Sequence, residues 1–236
     1  MSTGFPGFPN EAITFFRGLA RNNHREWFLP RKPLFEEKVK GPMWQLVEAL
    51  NTAMKEFAPE YTTDPAKAIY RFYRDTRFSK DKSPYKDHIA ASFSRRGTGC
   101  EGAAGYYVSV SHKNVGVGGG VYMPMPATLL AIRNHIAEHA DEFRRVCAAR
   151  SLKTLYGEMQ GQQLSRVPKG FAKDHAAEDL LRYKQFLYFT ELPVEMATTP
   201  QLFPEVRKRF RAIAPFLEFL NAPLLGARRK PEDRAL

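Results

Sequence analysis

Ile69-Tyr-Arg-Phe-Tyr-Arg-Asp-Thr-Arg-Phe-Ser-Lys-Asp-Lys-Ser-Pro-Tyr-Lys-Asp-His-Ile-Ala-Ala-Ser-Phe93 is the stretch in which a helix-forming start gives way to strands. Ala68–Phe72 is short and aromatic or β-branched, which predicts a strand entering a loop, and His88–Ser94 predicts a weaker strand leaving it. From Arg71 to Lys86 lie six cations, Arg71, Arg74, Arg77, Lys80, Lys82 and Lys86, against two acids, Asp75 and Asp81. Guanidinium forks set among Phe72, Tyr73, Phe78 and Tyr85 are what a phosphate or carboxylate site needs, because Arg offers bidentate donors and rings hold it in place. The competing reading is a surface loop whose charges pair locally and contribute ~0–1 kcal/mol each. Phe78, Pro84 and Tyr85 imply a loop that is packed, which favours the anion cradle.

Towards the amino terminus the pattern is helical. Asn10 is placed to cap a helix through about Asn22, with Ile13, Phe16 and Leu19 inward. Asn23 with Glu26 three residues on resembles a capping box for a short helix that stops near Pro30. Pro33 and Pro42 suit first helical turns, so Leu34–Lys40 and Met43–Phe57 read as separate helices, the second burying Trp44, Val47, Leu50 or Met54.

Towards the carboxyl terminus strands come first. Tyr106–His112 alternates in strand fashion and Val115–Met123 returns after Lys113-Asn114, predicting a hairpin. Pro126–Ala149 reads as one or two helices broken near Ala140-Asp141. Gly157–Val167 is a further strand candidate, a short helix runs from Asp174 or His175 to about Tyr183, and Gln185–Thr190 is a strand of large residues. An amphipathic helix from Pro200 or Pro204 to Leu220 turns Val206, Phe210, Ile213, Leu217 and Leu220 inward, bent at Pro215. Helices, then strands, then mixed elements predict an α+β fold, with a mainly antiparallel sheet of about five or six strands covered by amino- and carboxyl-terminal helices. One domain over 1–236 is expected, its last ten or so residues, around Arg228, Arg229 and Lys230, forming a frayed basic tail.

Composition narrows the function classes. Thirty-six Lys and Arg against 25 Asp and Glu give a net charge of +11, so polyanions are attracted whatever the function. Eight Lys and Arg against three Asp fall between Arg71 and Arg96, and eight against four acids between Gln201 and Leu236. Cys100 and Cys147 are isolated, which argues against a disulfide scaffold and a thiolate zinc cluster and fits a reducing compartment. No apolar run is long enough to cross a bilayer and Met1-Ser-Thr-Gly-Phe-Pro lacks a secretory pattern, so a cytoplasmic protein without membrane partners is expected.

At Arg71–Lys86 the pattern RxxRDxRFxxxKxPYK is matched at every fixed position, by Arg71, Arg74, Asp75, Arg77, Phe78, Lys82, Pro84, Tyr85 and Lys86. This resembles the signature of a family of bacterial and fungal proteins catalogued as domain of unknown function 2461. Asn22-Asn-His-Arg-Glu-Trp-Phe, Gly118-Gly-Gly-Val-Tyr, and Lys169-Gly-Phe through His175 to Leu181 and Lys184 are similar to the same family. Ala176 stands where the family leads one to expect Pro. The resemblance implies a single α+β domain and brings no activity with it.

Three other places carry chemistry-bearing residues. Gly118–Gly120, inside a predicted strand, suits either a bulge that curves the sheet or a close approach of phosphate to backbone N–H groups, and no Walker or GxGxxG pattern surrounds it. His135-Ile-Ala-Glu-His139 has the H-x-x-E-H spacing of one zinc-peptidase class, but both histidines lie beside the buried stripe of an ordinary amphipathic helix, so no metal is expected. His175 is either a general acid or base or a helix-start residue with local contacts.

The leading expectation is a site for a phosphate-bearing ligand, nucleotide or nucleic acid, built from Arg71, Arg74, Arg77, Lys82 and Lys86, with Asp75 and Tyr85 positioning them and Gly119 and Lys184 as further contacts. No cofactor is implied. The alternatives are an enzyme on a phosphorylated or nucleotide substrate, with His175 or Asp75 moving the proton, and a protein–protein module using the aromatic and basic surface.

Overall fold

The computed structural model describes residues 4–77, 79–98 and 102–225. Phe78, Cys100 and the basic tail around Arg228, on which three of the sequence expectations fall, lie outside the described residues. By its contacts the chain divides into two compact units: Met1–Phe93 with Tyr107–Val117 and Glu191–Lys208, and Ser94–Tyr106 with Gly118–Thr190 and Arg209–Leu236. The class is α+β. One open antiparallel sheet holds β1 (His88–Ser94), β2 (Gly105–Ser111), β3 (Asn114–Val121) and β4 (Phe186–Pro193) in that spatial order.

The sheet has four strands among the described residues and not five or six, because two expected strands pair only at single positions. Ala68 ends a one-turn helix, α5 (Pro65–Ala68), which Asp64 caps by accepting from the Ala66 N–H at 2.9 Å. Beyond it Ile69 pairs with Ala91 and Tyr73 with Tyr85, while Tyr70 N–H donates to Ala90 and Lys86 N–H to Phe72. Three residues on one side thus face five on the other, and the bulge breaks the ladder. Gly157–Val167 likewise meets its partner only at Gln160–Leu187 and Gln163–Tyr183, with Gly161 between them at φ +152° beside the Gln185 carbonyl.

In the first unit, α1 (Asn10–Arg21) buries Ala12, Ile13, Phe15, Phe16 and Leu19. Pro9, extended at φ −68° and ψ 154°, occupies the cap position, so Asn10 is the first helical residue and not the cap. Similarly α2 (Arg25–Phe28) starts after His24, and Asn23 is freed for another task. Where the prolines predict two helices, the chain runs on from α3 (Lys32–Phe35) through a π turn (Glu36–Lys40) into α4 (Gly41–Met54). Pro33 falls in a first turn, and Pro42 follows the point where Gly41 N–H reaches back five residues to Glu36, so neither missing N–H breaks a bond. α4 buries Met43, Leu46, Val47, Leu50, Ala53 and Met54. Trp44, expected inside, is 37% exposed, because the buried stripe follows Met43.

The core of this unit is aromatic. Phe15 lies 5.5 Å from Phe35 and 6.3 Å from both Phe28 and Phe72, Phe35 packs on Phe72 at 4.3 Å, and Phe28 on Tyr85 at 4.3 Å. Phe72 and Tyr85 flank the basic loop, so both of its ends are anchored in that core.

The second unit contains α6 (Pro126–Glu138), α7 (Ala140–Cys147), α8 (Arg150–Tyr156) and α9 (Glu178–Leu181), with the α6–α7 break at His139, close to where the sequence predicts it. α9 is a single turn, later in starting and earlier in ending than the expected helix from Asp174 or His175 to Tyr183. The long helix α10 (Leu202–Asn221) carries Pro215 inside it as anticipated. Its residues in this unit pack Phe210 against Tyr106 at 4.7 Å, Phe216 edge-on against Tyr188 at 4.9 Å and Phe219 against Phe143 at 4.9 Å. Asn221, fully buried, donates to the Ala104 carbonyl and accepts from the Ala104 N–H, both at 2.9 Å, tying the helix end to the start of β2.

Candidate functional site

The basic loop is braced from within. Asn23, from the turn between α1 and α2, accepts from the Tyr85 N–H at 3.1 Å and donates to the Tyr85 carbonyl at 2.9 Å, acting on that stretch as a paired strand would. Arg77 grips Asp75 with two parallel bonds, Nε to Oδ1 at 3.1 Å and Nη2 to Oδ2 at 2.8 Å, and its backbone N–H donates to the same carboxylate at 3.2 Å. This fork, with Arg71 nearby, pulls the Asp75 carboxyl down to about 2. Arg74 bonds Asp81 directly and approaches the Ser79 hydroxyl at 3.5 Å. Asp81 also accepts from the Ser83 N–H at 2.9 Å, and Arg74 followed by Ser83 holds its carboxyl well below the usual range. Lys82 donates to the Thr76 carbonyl at 2.9 Å.

Arg71 and Lys86 are less committed. The Arg71 guanidinium is 3.9 Å from Asp75, whose two oxygens Arg77 already engages, and its side chain is 71% exposed. Lys86 lies 5.0 Å above the Tyr70 ring, and burial followed by the Arg71 charge lowers its ammonium below the ordinary value.

Beside the loop the first unit has a hollow of about 290 Å³. Phe28, Phe35 and Phe72 contribute to its floor, and Trp44, Tyr70 and Tyr73, each at least 37% exposed, to its walls. Its cations are Arg71, Lys32 from α3 and Lys40 from the π turn; its one acid, Glu36, is bonded to Lys40 at 2.8 Å. Of the signature cations expected to converge, Arg71 alone lines this hollow, whereas Arg74, Arg77 and Lys82 are turned to the loop's own oxygens.

Lys32, Lys40 and Trp44 were not legible as site residues. Lys40 and Trp44 are one helical turn apart, which is the only sequence signal joining any two of them. Their nearness to Arg71 depends on how the Lys32–Met54 helical run packs.

The remaining candidates lie in the second unit. His175 Nδ1 accepts from the Ala177 N–H at 3.0 Å and its carbonyl from the Glu178 N–H at 2.8 Å, the contacts of a helix-start residue. Lys184 is exposed and its backbone N–H donates to Gln162 at 2.8 Å. Gly119 sits where a Cβ would stand 2.8 Å from the Gly105 carbonyl and 3.3 Å from Ile213, so close packing accounts for it. The His135 and His139 rings lie 4.6 Å apart and tilted, with His135 against Phe219, and among the described residues no group of three His, Cys, Asp or Glu is placed to hold a metal ion. Cys147 belongs to a second hollow of about 250 Å³ with Arg144 and Lys153, whose charges are answered by Asp179 and Glu158; burial raises its thiol to about 11. No described helix is long and apolar enough to cross a membrane.

The family model described as "Conserved hypothetical protein (DUF2461)" matches residues 11–219. No curated protein matches the chain.

Proposed function

We propose, for a chain that belongs to the conserved hypothetical protein family DUF2461, that the hollow beside Arg71–Lys86 binds a phosphate-bearing ligand, nucleotides and nucleic acid included. The observation that supports this most is the charge at the hollow's rim: Lys32, Lys40 and Arg71 face one carboxylate, Glu36, already bonded to Lys40, and the aspartate nearest Arg71 is taken up by Arg77. An anion entering there meets the exposed Lys32 ammonium and the exposed Arg71 guanidinium, whose nearest carboxylate, Asp75, stands 3.9 Å away and is already engaged by Arg77. Arg74, Arg77 and Lys82 then stiffen the loop, Asp75 and Tyr85 position it, and Lys86 adds positive potential from across the Tyr70 ring. Gly119 and Lys184 belong to the other unit and take no part in the proposed site. We read the chain as one domain, since β2, β3 and α10 each run through both units without a break.

The enzymatic alternative has less behind it. A carboxyl held at about 2 is a weak base at neutral pH, which counts against Asp75. His175 already has its Nδ1 in use on its own helix start.

Calorimetric titration with inorganic phosphate and pyrophosphate at low ionic strength tests the reading. Arg71→Ala is expected to weaken binding at least about tenfold, the worth of a charged hydrogen bond. Its melting temperature should stay within about a degree or two of wild type, as expected for an exposed side chain with one long ion contact. Unchanged affinity together with a large drop in melting temperature would instead make Arg71 a structural residue.

A further inference from the structure

The rim accounts for an anion but not for the space beneath it. Inorganic phosphate has no use for a hollow of about 290 Å³ floored by Phe28, Phe35 and Phe72, and a purely electrostatic site has no use for half-exposed rings around its mouth. Trp44 is the telling one. Its indole N–H is satisfied by Glu48 at 3.0 Å, it lines the hollow, and it has no ring contact among the described residues. Tyr70 and Tyr73, by contrast, already pack, Tyr70 on Tyr107 at 6.3 Å and Tyr73 on Tyr85 at 5.2 Å. An indole that is 37% exposed, with no ring packed against it among the described residues, lining the same hollow as three cations, is complementary to a ligand that is flat and apolar at one end and anionic at the other.

Resting on the anion reading above, we propose that the ligand is a nucleoside phosphate, its base stacked on Trp44 within the hollow and its phosphate held by Arg71 and Lys32. A free mononucleotide and the terminal nucleotide of a strand share this chemistry. The hollow's size suits a single base with its sugar, so one nucleotide unit enters whichever source supplies it. Stacking on a π face is tolerant of base identity, so the site selects nucleotide over phosphate more strongly than one base over another.

The chain has two tryptophans, Trp27 and Trp44, so Trp27→Phe leaves Trp44 as the only indole reporter. That variant is titrated with adenosine 5′-monophosphate, adenosine and inorganic phosphate, following both fluorescence and heat, and then with a short oligonucleotide bearing or lacking a terminal phosphate. Adenosine monophosphate is expected to quench Trp44 and to bind roughly 5- to 150-fold more tightly than inorganic phosphate, the range of one base–aromatic stack. Trp44→Leu should remove that margin, and Trp44→Phe should restore most of it. The oligonucleotide arms separate the sources: binding that depends on the terminal phosphate and matches the mononucleotide means a strand end also fits, and none means the free nucleotide alone.

Phosphate binding that requires Arg71, with no gain for the nucleotide and no effect of Trp44→Leu, would overturn the nucleotide inference and leave the anion site standing. Absence of Arg71-dependent phosphate binding would remove the anion reading and this inference together.

Discussion

At the scale of single residues, the loop is held by groups whose removal has separable consequences. Asn23 satisfies both the N–H and the carbonyl of Tyr85, so Asn23→Ala leaves two partly buried backbone groups without partners. Loss of about 1–3 kcal/mol is expected, read as a fall in melting temperature, and ligand affinity should weaken with it because Tyr85 flanks the loop. Asp75 gives a different kind of test. Its carboxyl is lowered from the ordinary 3.8 to about 2, first by the Arg77 fork. A depressed carboxyl adds stability that is complete above the unfolded value and is lost as pH falls through the folded one. Carbon-detected NMR of the Asp75 carboxyl should therefore titrate near 2, and the Arg77 backbone amide, which donates to that carboxylate, should shift in parallel. In Arg77→Met the Asp75 midpoint should move back up towards 3.8. A midpoint near 4 in the intact protein would mean the fork is not populated in solution.

At the scale of elements, β3 shows how a backbone can dictate its residues. Gly120 has φ +132°, and a Cβ there would collide with the Phe186 carbonyl of the neighbouring strand; Gly118 meets the Tyr188 carbonyl in the same way. Gly120→Ala is expected to cost more than about 2 kcal/mol, combining a backbone region closed to side chains with a clash that rigid sheet atoms cannot relieve. Gly97 is the control: its φ is +83° but among the described residues nothing lies within 4 Å of its Cβ position, so Gly97→Ala should cost only the backbone term of about 1–2 kcal/mol. Thermal melts of both variants decide it, and equal losses would count against the close approach. The hairpin, α1 and the inward stripe of α10 were readable from periodicity because each is set by its own residues. The expected strands at Ala68–Phe72 and Gly157–Val167 failed for a reason no local pattern carries, namely bulges fixed by the partner segment. Trp44 was misplaced because Met43 and Trp44 are both apolar, and spacing alone permits a stripe through either. The Arg71–Lys86 signature was legible as a basic cluster, but which of its cations remain available depends on pairings to Asp75 and Asp81 that only the folded loop reveals.

At the scale of the whole molecule, a net charge of +11 attracts any polyanion, so a bound nucleic acid by itself says nothing about a site. Salt dependence separates the two cases. A strand lying along a basic surface releases counterions from every phosphate neutralised, and its affinity falls with a log–log slope of about −0.7 per contact. A mononucleotide carries no condensed counterion layer, so its phosphate at Arg71 and Lys32 feels ordinary screening while its stacked base feels almost none. Between 50 and 200 mM salt the mononucleotide is therefore expected to lose no more than about tenfold in affinity, whereas a long single strand making six or more phosphate contacts loses several hundredfold. Arg71→Ala should nearly abolish the first and lower the slope of the second by only about one contact. Anisotropy titrations of a labelled mononucleotide and a labelled strand at four salt concentrations measure both slopes on one protein preparation. If the mononucleotide fell as steeply as the strand, its binding would be the work of the overall charge, and the three cations at the hollow would have no selective role.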